Sequence, residues 1–162
     1  MIVTAFGPFG AFKKNPSEVL GQMVFGFDIV VIPVTFQAVD EFVANLPETS
    51  DKLLMLGVAG RAKQMRFERV GTDAVGKLAD ASGQSRPRES TDRLIGTLFE
   101  NTAPCDCWVE SENAGDYLCN YLYYEVTKKR PSIRSGFVHV PPFTAVPLPL
   151  QAVRLRRLIS TL

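Results

Sequence analysis

Short apolar runs alternate along this chain with segments whose apolar residues recur every three or four positions. The runs are typical of buried strands, and the helical spacing indicates amphipathic helices between them. Strands that alternate with helices form mostly parallel sheets covered on both faces, so we predict an α/β fold. The predicted strands are residues 2–6, 28–34, 53–56, 107–109 and the run G-F-V-H-V that contains His139.

Helix signals lie between these strands. Asn15, Pro16 and Glu18 place a capping side chain, a first-turn proline and an acid in the order that starts a helix, which we expect to end near Met23. Between residues 61 and 92 the periodicity fails, which predicts a long loop with room for a hairpin. Further helices are predicted over residues 39–46, 91–100, 118–126 and 150–162.

Composition limits the classes of partner. The 162 residues are enough for one domain with a sizeable core, and we expect a single domain over residues 1–162. A formal net charge of +1 gives no electrostatic reason to expect a nucleic acid or an anionic membrane as partner. The first ten residues do not resemble a secretory signal, and Asp28 and several prolines interrupt the most apolar stretches, so we expect no membrane span.

The three cysteines, an odd number, favour a reducing compartment over a disulfide framework, and the cytoplasm is the expected location. Cys105 and Cys107 form a C-D-C pair. With a single histidine in the chain there are too few soft ligands for a closed zinc site, so we expect no metal and interpret this pair as structural.

The segment Ser111–Glu125, S-E-N-A-G-D-Y-L-C-N-Y-L-Y-Y-E, is a polar turn that becomes a helix. It places Cys119 near a helix N-terminus, where the dipole favours negative charge and a thiol tends to have a lowered pKa. His139 lies at the end of a predicted buried strand. A thiol and an imidazole that meet in space make a nucleophile and base for acyl transfer.

A structural interpretation of the same two residues competes with this one. A cysteine on a helix is more often a small core residue than a nucleophile. A histidine flanked by valines is more often a hydrogen-bonded structural group. Composition and periodicity alone leave both interpretations open.

Four segments in order carry a family resemblance: T-A-F-G-P-F-G with N-P-S, G-V-A-G followed by F-E-R-V, N-A-G-D-Y-L-C-N-Y, and G-F-V-H-V-P-P. They resemble the motifs of the pyroglutamyl peptidase I family, also called pyrrolidone-carboxylate peptidases, and they cover nearly the whole chain. The resemblance implies a three-layer α/β/α sandwich with a mostly parallel central sheet. It also implies a cytoplasmic cysteine peptidase, without a cofactor, that removes an N-terminal pyroglutamyl residue from peptides.

Position by position, the resemblance puts the nucleophile on Cys119, the histidine on His139 and the glutamate on Glu68. It puts two aromatic residues that line the lactam pocket on Phe6 and Phe9. Pyroglutamate is a small, flat, uncharged lactam, so a pocket between two phenylalanines suits its ring. A free amino terminus would bring a charge into that apolar slot, which disfavours ordinary peptides.

The chain also departs from the family pattern. Many bacterial members have a glutamine and a glycine-arginine pair where this chain has Val58, Arg61 and Ala62, and an asparagine where it has Asp73. Asp116 precedes the cysteine by three residues, where an acid would raise the pKa of the thiol. Residues are also missing between the glutamate and the cysteine of the triad and again after the histidine.

Three functions therefore stand at this point. The first is an active peptidase with a Glu68, Cys119 and His139 triad acting through a thioester. The second is a weak or inactive relative that binds a small ligand or a peptide. The third is a cysteine amidase acting on another small lactam or acyl group. The expected partner is a peptide with an N-terminal pyroglutamate, and a homo-oligomer is compatible with each of the three.

Overall fold

A six-stranded sheet forms the centre of the computed structural model, which describes residues 1–10, 12–47, 49–103 and 105–162. The strands in chain order are β1 (Ile2–Phe6), β2 (Val30–Ile32), β3 (Lys52–Val58), β4 (Met65–Glu68), β5 (Val70–Thr72), β6 (Arg93–Ile95), β7 (Trp108–Ser111) and β8 (Arg134–Val140). The central sheet has the order β2-β1-β3-β8-β4-β7, and β5 and β6 form a separate two-stranded sheet.

The helices in chain order are α1 (Pro16–Phe25), α2 (Phe36–Ala44), α3 (Leu118–Lys129) and α4 (Leu148–Ile159). The predicted start of α1 is confirmed, because the Asn15 side chain accepts a hydrogen bond from the Ser17 backbone N–H. No helix in the described ranges is long and apolar enough to span a membrane.

Helices cover both faces of the central sheet. The core on one face joins the sheet to α2 and α3, with Phe36, Leu122 and Phe137 among its buried residues. The core on the other face joins the sheet to α1 and α4, and it includes Leu20 and Leu155. Neighbouring strands are parallel except that β4 runs antiparallel to β8. These three layers around a mostly parallel sheet confirm the predicted α/β/α fold.

The predicted helix over residues 91–100 is wrong, because Arg93–Ile95 form strand β6 and turns follow it. Gly96 lies in the middle of that segment, where glycine disfavours a helix. Leu98 and Phe99 are both buried, and the Leu98 N–H donates to the Ser135 carbonyl at 3.1 Å. Burial against β8 therefore decides the conformation here.

The strand predicted over residues 28–34 is shorter than expected. A 3₁₀ turn spans Gly26–Asp28, and only Val30–Ile32 form β2. This strand lies at the edge of the sheet, and Val30 and Val31 are 40% and 37% exposed. The expectation that both faces of this strand are covered is therefore wrong.

The long segment between β5 and β6 is fixed to the helices by two buried polar side chains. Asn120 accepts from the Thr72 N–H and donates to the carbonyls of Thr72 and Ala74, each at 2.8 Å. Asp80 accepts from the Phe36 N–H at 2.8 Å, at the start of α2. The loop predicted over residues 61–92 is confirmed only between β5 and β6, because Met65–Glu68 form β4 of the central sheet and Val70–Thr72 form β5. Hydrogen bonds of these two side chains to backbone groups anchor that remaining part.

We expect Asn120→Ala to lower the free energy of unfolding by about 2–3 kcal/mol, because it leaves one backbone N–H and two carbonyls without their partner. Urea denaturation of both proteins measures the difference. The matched control is Gln37→Ala, which removes an exposed hydrogen bond to Glu41 and should change the value by less than about 0.5 kcal/mol. Equal losses in the two variants would contradict the anchoring role.

Candidate active site

Cys119 is the second residue of α3, as the sequence predicted for the N-terminal end of a helix. Tyr117 precedes the helix and donates its hydroxyl to the Ala79 carbonyl at 3.1 Å, so its side chain faces the loop rather than capping α3. The first backbone N–H groups of a helix have no partner within it. In α3 these are the N–H groups of Leu118, Cys119 and Asn120, so they lie next to the cysteine along the chain.

The sulfur of Cys119 lies directly over Gly57, near the end of β3. A Cβ atom at Gly57 would be 2.8 Å from the Cys119 Sγ and 2.7 Å from the Phe137 Cζ. Real Cβ atoms do not approach other heavy atoms so closely. Only a glycine at this position allows the helix to bring the thiol down onto the sheet.

His139 and Glu68 form a buried pair beside this glycine. The His139 Nδ1 lies 2.7 Å from the Glu68 Oε1, and the two residues are 5% and 0% exposed. The Phe137 ring packs against the imidazole, with 4.9 Å between the ring centroids. Since Nδ1 is engaged with the carboxylate, Nε2 is the ring nitrogen left for other partners.

Strand pairing explains why these side chains meet. In the parallel pairing of β3 with β8, Gly57 lies opposite His139, and in the antiparallel pairing of β4 with β8, Arg66 lies opposite His139. Side chains two residues apart on a strand share a face. Glu68 therefore lies on the same face as Arg66 and reaches the imidazole along the strand.

A small apolar pocket adjoins the cysteine on the side away from β8. It encloses about 20 Å³ and is lined by Phe6, Phe9, Asn15, Val34, Val58, Tyr117, Leu118 and Cys119. Phe6 is buried, whereas Phe9 lies half-buried on the turn after β1. Three of the five predicted site residues, Phe6, Phe9 and Cys119, therefore line this pocket. The other two, His139 and Glu68, form their pair one strand further along, opposite the glycine under the Cys119 sulfur.

Asn15 holds the turn that carries Phe9. Its Nδ2 donates to the Gly7 carbonyl at 2.9 Å, while its Oδ1 accepts from the backbone N–H and the hydroxyl of Ser17. The Gly7 N–H in turn donates to the Ile32 carbonyl at 2.9 Å. The buried Asn15 side chain therefore links the turn that carries Phe9 to the start of α1, and it also lines the pocket.

The thiol does not have the lowered pKa expected from its helix position. Burial raises the pKa of Cys119 to about 12, and the negative charge of Glu68 contributes to the increase. At such a pKa the thiol is neutral at pH 7, so it needs a base before it can act as a nucleophile. Asp116, the acid suspected from the sequence, packs its carboxylate against Gly76.

The two other cysteines stay apart from this site. Cys105 and Cys107 are free thiols, and the Cys105 sulfur accepts from the Cys107 backbone N–H at 3.1 Å. Arg157 of α4 donates to the Cys107 sulfur at 3.3 Å. These contacts suit the structural interpretation of the C-D-C pair.

A sequence model of pyroglutamyl peptidases matches residues 1–153, which is nearly all of the chain. The chain belongs to the pyroglutamyl peptidase family. A pyrrolidone-carboxylate peptidase of Brevibacillus brevis is 29% identical over 180 residues, covering 95% of this chain and 81% of the relative. Pyrrolidone-carboxylate peptidase 2 of Caldanaerobacter subterraneus is 30% identical over 165 residues, covering 87% of this chain and 80% of the relative.

Solved structures of the family share the fold. The pyrrolidone carboxyl peptidase of Fervidobacterium islandicum superposes with a TM-score of 0.80 at 24% identity, covering 98% of this chain and 95% of that one. The pyroglutamyl peptidase I of Bacillus amyloliquefaciens gives a TM-score of 0.76 at 21% identity, covering 99% and 92%. The first alignment above, at 180 residues, is longer than this chain of 162, so this family member lacks residues that the relative has.

Sequence reasoning missed several residues that build this site. Gly57 was visible only as the first residue of the G-V-A-G motif, and Asn15 only as a helix cap. Val58 was predicted only as a departure from the family pattern, and its apolar side chain lines the pocket. Arg66 had no signal at all, because its relation to His139 depends on the antiparallel register of β4.

We expect Gly57→Ala to reduce turnover of a fluorogenic pyroglutamyl amide by about a hundredfold. The new methyl group would force the Cys119 sulfur or the Phe137 ring to move, and a displacement of about 1 Å costs rates of this order. The matched control is Gly60→Ala in the next loop, where an added Cβ meets nothing within 4 Å. Normal turnover in the Gly57 variant would contradict the close approach of thiol and sheet.

Proposed function

We propose that this chain is a cysteine omega peptidase that removes an N-terminal pyroglutamyl residue from peptides through a thioester, with Glu68, Cys119 and His139 as its triad. One observation carries the proposal. A buried imidazole held by a carboxylate at 2.7 Å lies opposite Gly57 in the sheet, and the thiol over that glycine borders an apolar pocket. Membership of the pyroglutamyl peptidase family points to the same reaction.

In the first step His139 acts as the general base. Its Nε2 takes the proton of the Cys119 thiol as the sulfur attacks the carbonyl carbon of the pyroglutamyl residue. Glu68, bound to Nδ1, fixes the tautomer that leaves Nε2 unprotonated and then stabilises the imidazolium. The raised pKa of the thiol makes this transfer necessary, because few thiolates exist beforehand.

The tetrahedral intermediate then collapses. His139 gives its proton to the leaving amine, the C–N bond breaks, and a thioester joins the pyroglutamyl carbonyl to Cys119. A water molecule attacks the thioester while His139 takes one of its protons, and the thiolate leaves and recovers a proton from the imidazolium. The products are free pyroglutamate and the shortened peptide, and neither oxidant nor metal enters the balance.

Backbone N–H groups at the start of α3 are the proposed oxyanion donors. Cys119 is the second residue of the helix, so unpaired N–H groups lie next to its sulfur. Each well-placed donor of this kind is worth roughly 3 kcal/mol of transition-state stabilisation. The positive end of the helix dipole adds to the same effect.

Phe6 and Phe9 are the proposed walls of the lactam pocket. The pocket volume of about 20 Å³ is room for about one water molecule and not for a five-membered ring, so a ring enters only when a wall moves. Phe9 is the wall suited to move, since it is half-buried on a turn. The apolar lining favours an uncharged lactam over a free amino terminus.

The closed pocket and the raised thiol pKa favour a second candidate, a family member with weak turnover that binds a small ligand or peptide. Cleavage of a pyroglutamyl amide at an ordinary rate excludes it, and a panel of prolyl and free-amine amides excludes a general amidase. For both the active peptidase and the weak relative, we propose a peptide with N-terminal pyroglutamate as the partner and the cytoplasm as the location.

We expect Cys119→Ala and His139→Ala to lose at least about 10³-fold in kcat/KM on a fluorogenic pyroglutamyl amide, because each removes a group that transfers a proton or forms the thioester. Glu68→Gln should lose about ten- to a hundredfold. Cys107→Ser is the control for loss of a thiol and should retain activity. A Cys119→Ala protein that still turns over would refute the triad.

The Glu68→Gln change should also lower the pKa of the Cys119 thiol while it lowers activity. The carboxylate charge contributes to the raised pKa, and a neutral amide removes that contribution. The pH dependence of iodoacetamide alkylation, followed in a Cys105→Ser/Cys107→Ser background, gives the pKa of the remaining thiol. An unchanged or higher pKa in the variant would mean that Glu68 does not act on the thiol.

A further inference from the structure

The parts of the site follow one another in a line across the sheet. The pocket lies over β1, β2 and the end of β3, and the Cys119 sulfur lies over Gly57 of β3. His139 of β8 comes next, and Arg66 of β4 lies opposite it on the far side. Neighbouring strands are about 4.8 Å apart, so each step along this line is one strand wide.

This line sets the direction of a bound peptide, given the proposed function on which the inference rests. With the pyroglutamyl ring in the pocket, its carbonyl is at Cys119, and the leaving amine must be within reach of His139 to be protonated. The residue that carries this amine then continues in the same direction. Its next neighbour in the protein is Arg66.

Arg66 keeps donors available at this place. It is half-buried, with 35% of its side chain exposed, and its Nε lies 3.8 Å from the Glu68 Oε1, an ion-pair distance that is too long for a hydrogen bond. In the described part of the chain this Nε is a buried donor without a hydrogen-bond partner. A guanidinium offers five donors in a planar fork, and it matches a carboxylate in a bidentate manner.

The charges around Arg66 favour an anion at this place. Arg61 and Lys63 are exposed in the loop that joins β3 to β4 at the same edge of the sheet. Two acids of the neighbouring β7 segment have other partners, since Glu110 pairs with Arg69 at 3.3 Å and Glu112 with Arg93 at 2.8 Å. Glu68 is the acid next to Arg66, and it holds His139.

We infer that Arg66 is a specificity-determining residue that binds a carboxylate on the residue following pyroglutamate. The carboxylate comes either from the C-terminus of a pyroglutamyl dipeptide or from an acidic side chain at that position. Both offer the same planar pair of oxygens to the guanidinium. The site therefore prefers short or acidic leaving groups over neutral and basic ones.

A different role for Arg66 makes a different prediction. If the guanidinium only offsets the charge of Glu68, removing it changes the triad and slows every substrate by the same factor. Binding of the leaving residue instead changes the ratio between substrates that differ in one carboxylate. The ratio cancels any general damage to the triad, so it separates the two roles.

The test compares kcat/KM within two substrate pairs. The first pair is pyroglutamyl-alanine and pyroglutamyl-alanine amide, and the second is pyroglutamyl-glutamate amide and pyroglutamyl-glutamine amide. We expect the wild type to favour the carboxylate member of at least one pair by about tenfold, the scale of a partly exposed hydrogen bond to a charged group. The preference should shrink in 1 M salt.

In Arg66→Gln the preference should fall to about onefold, and Arg66→Lys should restore part of it because the charge returns without the fork. Arg154→Gln, which removes one positive charge on α4 in the opposite layer, should keep the full preference. The pair that responds identifies the source of the carboxylate.

Equal rates within both wild-type pairs, or a preference unchanged in Arg66→Gln, would overturn the inference and leave the proposed function standing. Failure of the wild type to cleave any of the four pyroglutamyl substrates would overturn both. The measurement therefore distinguishes an error in the role of Arg66 from an error in the reaction.

Discussion

The antiparallel pairing of β4 with β8 is the constraint on which the site depends. In a sheet whose other neighbours are parallel, this one reversal sets Glu68 on the face that carries His139 and within 2.7 Å of its Nδ1. A register shift of one residue would turn the carboxylate to the opposite face. The backbone pairing of β4 with β8 thus determines that Glu68 is the acid that orients His139.

The electrostatics of the site follow from the same arrangement. A fully buried carboxylate beside the thiol opposes its ionisation, and burial of the sulfur acts in the same direction. The position of Cys119 at a helix N-terminus favours ionisation but is outweighed here. The carboxylate therefore binds the histidine and at the same time raises the pKa of the thiol. The proposed mechanism accordingly uses proton transfer during attack rather than a preformed ion pair.

Much of the fold was predictable because burial and periodicity are local signals. The apolar run of β3, the cap formed by Asn15 and the helical spacing after Leu118 each have a direct counterpart in the structure. The segment around Leu98 and Phe99 was not predictable, since contacts with β8 decide it. Within the site, the cysteine and histidine carried their own chemical signal. Gly57 and Arg66 did not, because their importance arises from strand register.

The shared use of Asn15 has a kinetic consequence. Asn15 holds both the turn that carries Phe9 and the first turn of α1. A movement of the whole turn would therefore loosen the helix, so we expect the pocket to open by movement of the short stretch after Gly7. On the proposed function, in which a ring enters only after a wall moves, we expect the open form to be a minor population and the apparent affinity for any ring to fall in proportion to it. Ligands should accordingly associate more slowly than diffusion allows, with the opening frequency of the turn, rather than encounter, setting the pace.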